Sequence, residues 1–466
     1  MTTQHDFRVL SMDGGDGRVT AQLLQEIAQR LEQKYPGTGG NFLNSVTLFA
    51  GSSAGGINSL LLAQQSDADG FLKNELLPLW MQLELAMLPL PPRPQAPSPD
   101  NAIAAFGPLA PFAYPIQVLQ YLAQLGLALA GLHNVVNNDA IKALLTGQFG
   151  QKKLGDLHKT VAITAFQLDN EDVENRRWVP RVFTNVPRSI DPDNNDVDEL
   201  SIDVALRTSA QPVYFPIYQA QSGKGSGFID GGYVANSAGM VAIARAYALI
   251  NKLSHHPVQA NALLADDAEN GASLAEATIN VPSPSAAALA TVPPSGKVLM
   301  LSLGAGTANS FPGPDYVGPD RLKFVGGSAT WGYLLWLLNP TQPFLLLNVV
   351  LSAQMEEVDF QLRNILQPID DVPSYCRFAP RLQNSRAVPA QELRSFVRAA
   401  MQQDELDRVV DWLVASGWVS VDDRAQTPPT PPAAAAVVPV LASDDAAPPT
   451  DIPVGDSQAG QKVDEA

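Results

Sequence analysis

The chain has 466 residues, with 47 Asp and Glu against 30 Lys and Arg, and carries a net charge of −17. That acidity excludes nucleic acid as the main partner, because nothing in it neutralises a phosphate backbone. It also excludes a general electrostatic grip on anionic lipid, while leaving apolar docking open. A hydrophobic content of 45% suffices for a large core. The single cysteine, Cys376, can form no internal disulfide and no cysteine-rich metal site, which fits a reducing, cytoplasmic compartment.

The first residues carry no basic stretch followed by an apolar run, so no secretion signal is expected. Phe7, Val9 and Ser11 alternate with Arg8, Leu10 and Met12, a short strand running into a glycine cluster. Leu23, Leu24, Ile27 and Leu31 then recur at helical spacing, and Tyr35-Pro36-Gly37 stops that helix. A second strand is predicted over Ser45–Gly51, followed by a helix beginning near Ile57. Residues 101–138 contain no Asp, Glu, Lys or Arg and follow a proline-rich stretch, which marks an insertion over the core. Within it, Pro115–Val136 is apolar, but its glutamines, His133 and lack of a basic flank favour a buried or interfacial helix over a membrane span.

Further strands are predicted at Val161–Gln167, Arg181–Asn185, Gly227–Asp230 and Lys297–Gly304. Apolar strands alternating with helices indicate an α/β fold whose mainly parallel central sheet is covered on both faces. The domain reading is a main domain over 1–375 with insertions at about 84–138 and 262–295, then a helical extension over 376–424. Residues 425–466 hold eight prolines and six acids against one lysine. That composition cannot bury enough surface to offset chain entropy, so a disordered acidic tail is expected.

The sharpest local signal is Gly51-Ser52-Ser53-Ala54-Gly55, a G-x-S-x-G between a predicted strand and a predicted helix. Small flanking residues allow a tight, strained turn that exposes the serine hydroxyl beside a helix N-terminus. A nucleophilic serine needs a base. The five histidines are His5, His133, His158, His255 and His256, and none follows the last predicted strand, where a Ser-His-Asp hydrolase would need one. The alternative base is a carboxylate. Asp230 ends an apolar strand, and Gly231 and Gly232 open space beside it. Near the N-terminus, Asp13-Gly14-Gly15-Asp16-Gly17-Arg18 joins a strand to a helix, and its glycines can turn backbone N–H groups toward an anion. It matches neither the dinucleotide fingerprint nor the P-loop.

These three motifs, in this order, resemble the patatin-like phospholipase family, whose pattern is D-G-G-G-x-R-G, then G-x-S-x-G, then D-G-G or D-G-A. Ala205–Pro216, Tyr233–Gly239 and Val298–Thr307 also look like the family, and the resemblance covers roughly residues 7–370. It implies a three-layer α/β/α fold and metal-independent, cofactor-free hydrolysis of acyl esters of phospholipids, lysophospholipids or related lipids. Ser53 matches the nucleophile, Asp230 the general base, Gly14 and Gly15 the oxyanion glycines, and Arg18 the basic residue of that loop, either a ligand for a substrate phosphate or a plain surface charge near a helix start. The partner implied is a lipid substrate, with the 101–138 insertion walling an acyl chain, docking on a lipid surface or capping the core.

Two departures stand out: Asp16 replaces the third glycine of the family pattern and Val19 the last. Asp16 either faces solvent, is neutralised by Arg18, or slows the reaction by repelling the oxyanion. Two rival functions stay open on the residues: a lipid-binding scaffold with a disabled dyad, and an acyltransferase in which an alcohol replaces water. Oligomeric state and lipid head group are not encoded in any motif.

Overall fold

The computed structural model describes residues 6–86, 138–220, 222–223, 225–255, 297–305, 345–380, 382 and 388–421. The expected 262–295 insertion, the 425–466 tail and, apart from its two ends, the 84–138 insertion lie outside these residues. Among the described residues the central sheet has seven strands: β1 (Phe7–Met12), β2 (Leu48–Gly51), β3 (Thr160–Gln167), β4 (Val179–Thr184), β5 (Phe228–Ile229), β6 (Val298–Leu303) and β7 (Tyr375–Phe378). Six follow the order β4-β3-β2-β1-β6-β7, and β5 pairs with β3 off that path. The β1–β2, β2–β3, β1–β6 and β6–β7 pairs are parallel, whereas β4 and β5 run antiparallel to β3. The sheet is therefore mixed and mostly parallel.

Strand alternation divides the core in two. Leu10, Met12, Phe49, Val161, Ile163, Leu299 and Leu301 face one helical layer, which includes α1 (Gly17–Lys34), α2 (Ala54–Ala63), α3 (Leu77–Ala86), α4 (Asn138–Phe149) and α5 (Ser201–Thr208). Phe7, Val9, Leu48, Ala50, Ala162, Val298 and Met300 face the other, where α7 (Gly239–His255) and α8 (Leu345–Ile365) pack. Residues two apart on a strand share a face, so a strand apolar at every position is what a sheet buried on both sides requires. The short helix α6 (Gly232–Ala235) lies between β5 and α7.

The start of the helical extension expected at 376–424 falls inside a strand: β7 spans Tyr375–Phe378 and pairs with β6 through Leu301↔Cys376. Four residues, Tyr375 to Phe378, are too few for any period to separate strand from helix in sequence. Two helices do follow, α9 (Leu393–Ala400) and α10 (Gln403–Ala415). They pack on α1, where buried Glu26 accepts from Arg398 at 2.8 Å and Arg394 at 3.3 Å, and Arg30 pairs with Asp407. The Trp418 indole donates to the Phe42 carbonyl at 2.9 Å. Leu393, Val397 and Val409 on these helices share the core layer of Leu10 and Leu301.

Candidate active site

Ser53 follows β2 directly through Ser52 and precedes α2. Its backbone has φ +53° and ψ −125°, a region that a residue with a Cβ enters only when its surroundings enforce it. The enforcing contact is the packing of α2 against β1. A methyl group on Gly55 would lie 2.2 Å from the Met12 carbonyl oxygen and 2.6 Å from that of Asp13. The Ser53 N–H donates to Thr208 Oγ1 at 2.8 Å. The next two N–H groups, of Ala54 and Gly55, open α2 and have no intrahelical acceptor.

Asp230 arrives from β5, across β3 from Ser53. Its N–H donates to the Ala210 carbonyl at 3.0 Å, and the Gly231 N–H donates to the Thr208 carbonyl at 2.8 Å. Thr208 therefore holds the serine turn with its side chain and the aspartate turn with its backbone. The Ser53 hydroxyl donates to Asp230 Oδ2 at 2.6 Å, joining two motifs 177 residues apart in the chain. The other carboxylate oxygen, Oδ1, accepts the Gly232 N–H at 2.7 Å. Asp230 is 1% exposed, so its orientation is fixed and its contact with bulk water minimal. Burial and the Asp230 charge push the neighbouring Tyr233 phenol up to about 12, so it stays neutral beside the carboxylate.

The loop after β1 abuts Ser53: a Cβ on Gly14 would lie 3.3 Å from Ser53 Cβ and 2.4 Å from Asn236 Oδ1. The Gly14 N–H donates to the Asn236 carbonyl at 2.9 Å. Of the two glycines singled out in the sequence as oxyanion donors, Gly14 is therefore already engaged in this structure. Gly15 has φ +147°, conformational space that only glycine occupies without strain. Asn236 itself is held by α8, its N–H to Gln354 Oε1 at 3.3 Å and its Nδ2 to Met355 Sδ at 3.1 Å. Neither Asn236 nor Thr208 was assigned a role in the sequence. Both sat inside stretches singled out there, and their partners are too distant in the chain for spacing to reveal.

Asp16 is neither solvent-facing nor free. It is 6% exposed and caps α1, its Oδ1 accepting from the Arg18 N–H and Nε at 3.1 Å each, while its Oδ2 accepts from Nη2 at 2.9 Å. Of the three readings open in the sequence, neutralisation by Arg18 is the one this arrangement matches. Arg18 is buried too, pairs with Glu84, and donates to the Val388 carbonyl at 3.2 Å. Burial alone would lower its pKa, but the Asp16 and Glu84 carboxylates more than offset that and leave it raised. This guanidinium is built into the fold and is not presented to a substrate phosphate.

Among the described residues, no group of three or more His, Cys, Asp or Glu is placed to hold a metal ion. No helix among them is long and apolar enough to cross a membrane.

Comparison with known proteins matches residues 10–243 to the family model described as patatin-like phospholipase, a span containing Gly14, Gly15, Ser53 and Asp230. No curated protein matches the chain. Among solved structures, the crystal structure of VipD from Legionella pneumophila is similar at 12% identity, covering 88% of this chain and 67% of that one. Its TM-score of 0.30 is too low to carry a structural argument.

Proposed function

The chain belongs to the patatin-like phospholipase family, lipid acyl hydrolases that work through a Ser–Asp dyad, and from that premise we propose that Ser53 is the nucleophile and Asp230 the base. The observation that carries this assignment is the 2.6 Å hydrogen bond from the Ser53 hydroxyl to Asp230 Oδ2. As Ser53 Oγ attacks an ester carbonyl, its proton passes to Asp230, which hands it to the departing alkoxide, so that an acyl-enzyme forms, the alcohol leaves and the carboxylate is regenerated. Asp230 then takes a proton from water as that water attacks the acyl carbon, and returns it to Ser53 Oγ as the fatty acid is released. A carboxylate with an ordinary pKa near ~3.9 is a weak base for a hydroxyl, so close alignment and exclusion of water must supply what basicity does not. The Gly232 N–H on Oδ1 fixes the carboxylate so that Oδ2 faces the serine.

The tetrahedral oxyanion needs preorganised donors. Our reading assigns it the N–H groups of Gly15 and Ala54, because Gly14's is committed to Asn236 and Ser53's to Thr208. Gly51, Gly55, Gly231 and Gly232 serve as the close-packed supports of the two turns. The substrates proposed are acyl esters of phospholipids, lysophospholipids or related glycerolipids. Since Arg18 is consumed by Asp16 and Glu84, head-group recognition through that residue is not part of the proposal. The segment expected to contact acyl chains or a lipid surface, 101–138, lies outside the described residues. A cytoplasmic location is our reading from the lone cysteine, and peripheral lipid contact our reading from the apolar 101–138 insertion.

The test is incubation with a mixed lipid extract, reading released fatty acids and lyso-lipids. Ser53→Ala and Asp230→Asn should each abolish release, and the double variant should be no worse, because residues acting as one unit are not additive. Near-full activity in a folded Asp230→Asn variant would overturn the dyad assignment. Transfer of the acyl group to an added alcohol in preference to water would favour the acyltransferase reading.

A further inference from the structure

The oxyanion loop is bracketed by two buried acids, Asp13 before the glycine pair and Asp16 after it, at 0% and 6% exposure. Each has its own arginine. Asp16 has Arg18, two residues away on α1. Asp13 has Arg377, from β7 near the other end of the chain and outside the family-matched span. We infer that Arg377 is a positioning residue for ester hydrolysis, holding the oxyanion loop through Asp13 and cancelling the Asp13 charge beside the developing oxyanion.

Arg377 Nη2 donates to Asp13 Oδ2, and Nη1 donates to Ser302 Oγ on β6 at 2.7 Å. Its carbonyl accepts from Arg408 Nη2 on α10 at 2.8 Å. The guanidinium is thus held between the loop after β1 and strand β6, while α10 holds the backbone that carries it. Burial opposes its charge, and the Asp13 carboxylate outweighs burial, so its pKa is raised and it is a permanent cation. Asp13 Oδ1, by contrast, is buried with no hydrogen-bond partner among the described residues. Arg377 is then the group that compensates this carboxylate. Consecutive Cα atoms are ~3.8 Å apart, so the Asp13 Cα lies within about 7.6 Å of that of Gly15. A carboxylate left uncompensated so near the oxyanion opposes charge that exists only in the transition state. Its effect therefore falls on kcat and not on KM.

This inference rests on the assignment of the Gly15 loop as the oxyanion site, and the experiment separates the two. Short-chain nitrophenyl ester hydrolysis is measured for the full chain carrying Arg377→Gln, Arg377→Lys, Asp13→Asn with Arg377→Gln, and Gly15→Ala, with melting followed by circular dichroism. Arg377→Gln should lower kcat at least tenfold with KM within twofold. The double variant, which removes both charges, and Arg377→Lys, which keeps the cation, should each recover kcat to within about threefold of the parent. Arg377→Gln folded and within twofold of the parent overturns the inference. So does a folded double or lysine variant that is as impaired as Arg377→Gln, since a purely structural pair would behave that way. If Arg377→Gln does not fold, the double and lysine variants decide: a tenfold loss of kcat in either, or failure of both to fold, refutes charge compensation. If Gly15→Ala also leaves kcat unchanged, the oxyanion assignment itself is wrong.

Discussion

Replacing Asp16 should damage stability far more than chemistry. In sequence, Asp16 is an intruding carboxylate whose conversion to glycine would keep or modestly raise kcat. In the structure it caps α1 and is bidentate with a buried arginine, so removing it strips three hydrogen bonds from Arg18. Loss of an N-cap side chain costs about 1 kcal/mol. Breaking a buried ion pair costs about 3–5 kcal/mol, because the surviving charge is left without its partner. Arg18 keeps Glu84 and the Val388 carbonyl, which places the pair term at the lower bound, about 3 kcal/mol, and the sum for Asp16→Ala at about 4 kcal/mol. With a urea m-value of about 3 kcal/mol per molar, the unfolding midpoint should fall by about 1.3 M. Asp16→Asn keeps a capping oxygen and loses the charge, so its midpoint should lie between the two. Urea titrations followed by tryptophan fluorescence measure both, and ester hydrolysis in the absence of urea should stay within about threefold of the parent. An Asp16→Ala midpoint within about 0.3 M of the parent would refute the reasoning, and so would an intact fold with kcat lost tenfold or more.

Three further outcomes are expected. Gly55→Ala must drive α2 away from β1, because the added methyl meets two backbone oxygens at 2.2 and 2.6 Å; a shift of about 1 Å in the nucleophile lowers kcat by about a hundredfold, and parental kcat would contradict it. Burial pushes the Cys376 thiol up to about 11 from its usual 9, so at pH 8 iodoacetamide should label it only after unfolding, and rapid labelling of native protein would show the thiol is accessible. Because the folded value is the higher one, this neutral thiol stabilises the fold fully below pH 9, and that contribution is lost as pH rises through about 11. Ending the chain at Asp422, where the compact unit closes, should leave the melting temperature and esterase kcat unchanged, and a drop of several degrees would count against a dispensable tail.

Sequence carried the chemistry further than it carried the scaffold. The serine turn was legible because strain and crowding restrict its flanks to small residues, and the aspartate because glycines must follow it closely. Their spatial union, across 177 residues, followed from the resemblance and not from any local pattern. What stayed hidden were the partners set by tertiary packing. Asn236 consumes the Gly14 N–H, Thr208 ties the two turns together, and Arg377 reaches Asp13 from a four-residue strand. A buried arginine and an exposed one look the same in a sequence, which is also why Arg18 could be read there as a phosphate ligand. The strand bounds shifted for a similar reason: Ser45–Gly51 reads as one extended run, but only Leu48–Gly51 finds partners on both sides.

In β1 and β2, the register pairs Met12 with Gly51. The proposed oxyanion loop and the proposed nucleophile turn therefore leave the same end of two adjacent parallel strands. Their separation is the inter-strand spacing, about 4.8 Å, fixed by backbone hydrogen bonds. Side chains can tune the site, but its basic dimension is a repeat distance of the sheet, common to every parallel sheet whatever its sequence. An enzyme gauged this way can lengthen the connections outside the sheet, or exchange one lipid-facing segment for another, without recalibrating the distance between attacking oxygen and oxyanion donor. Selection on substrate and selection on rate would then act on physically separate parts of one chain.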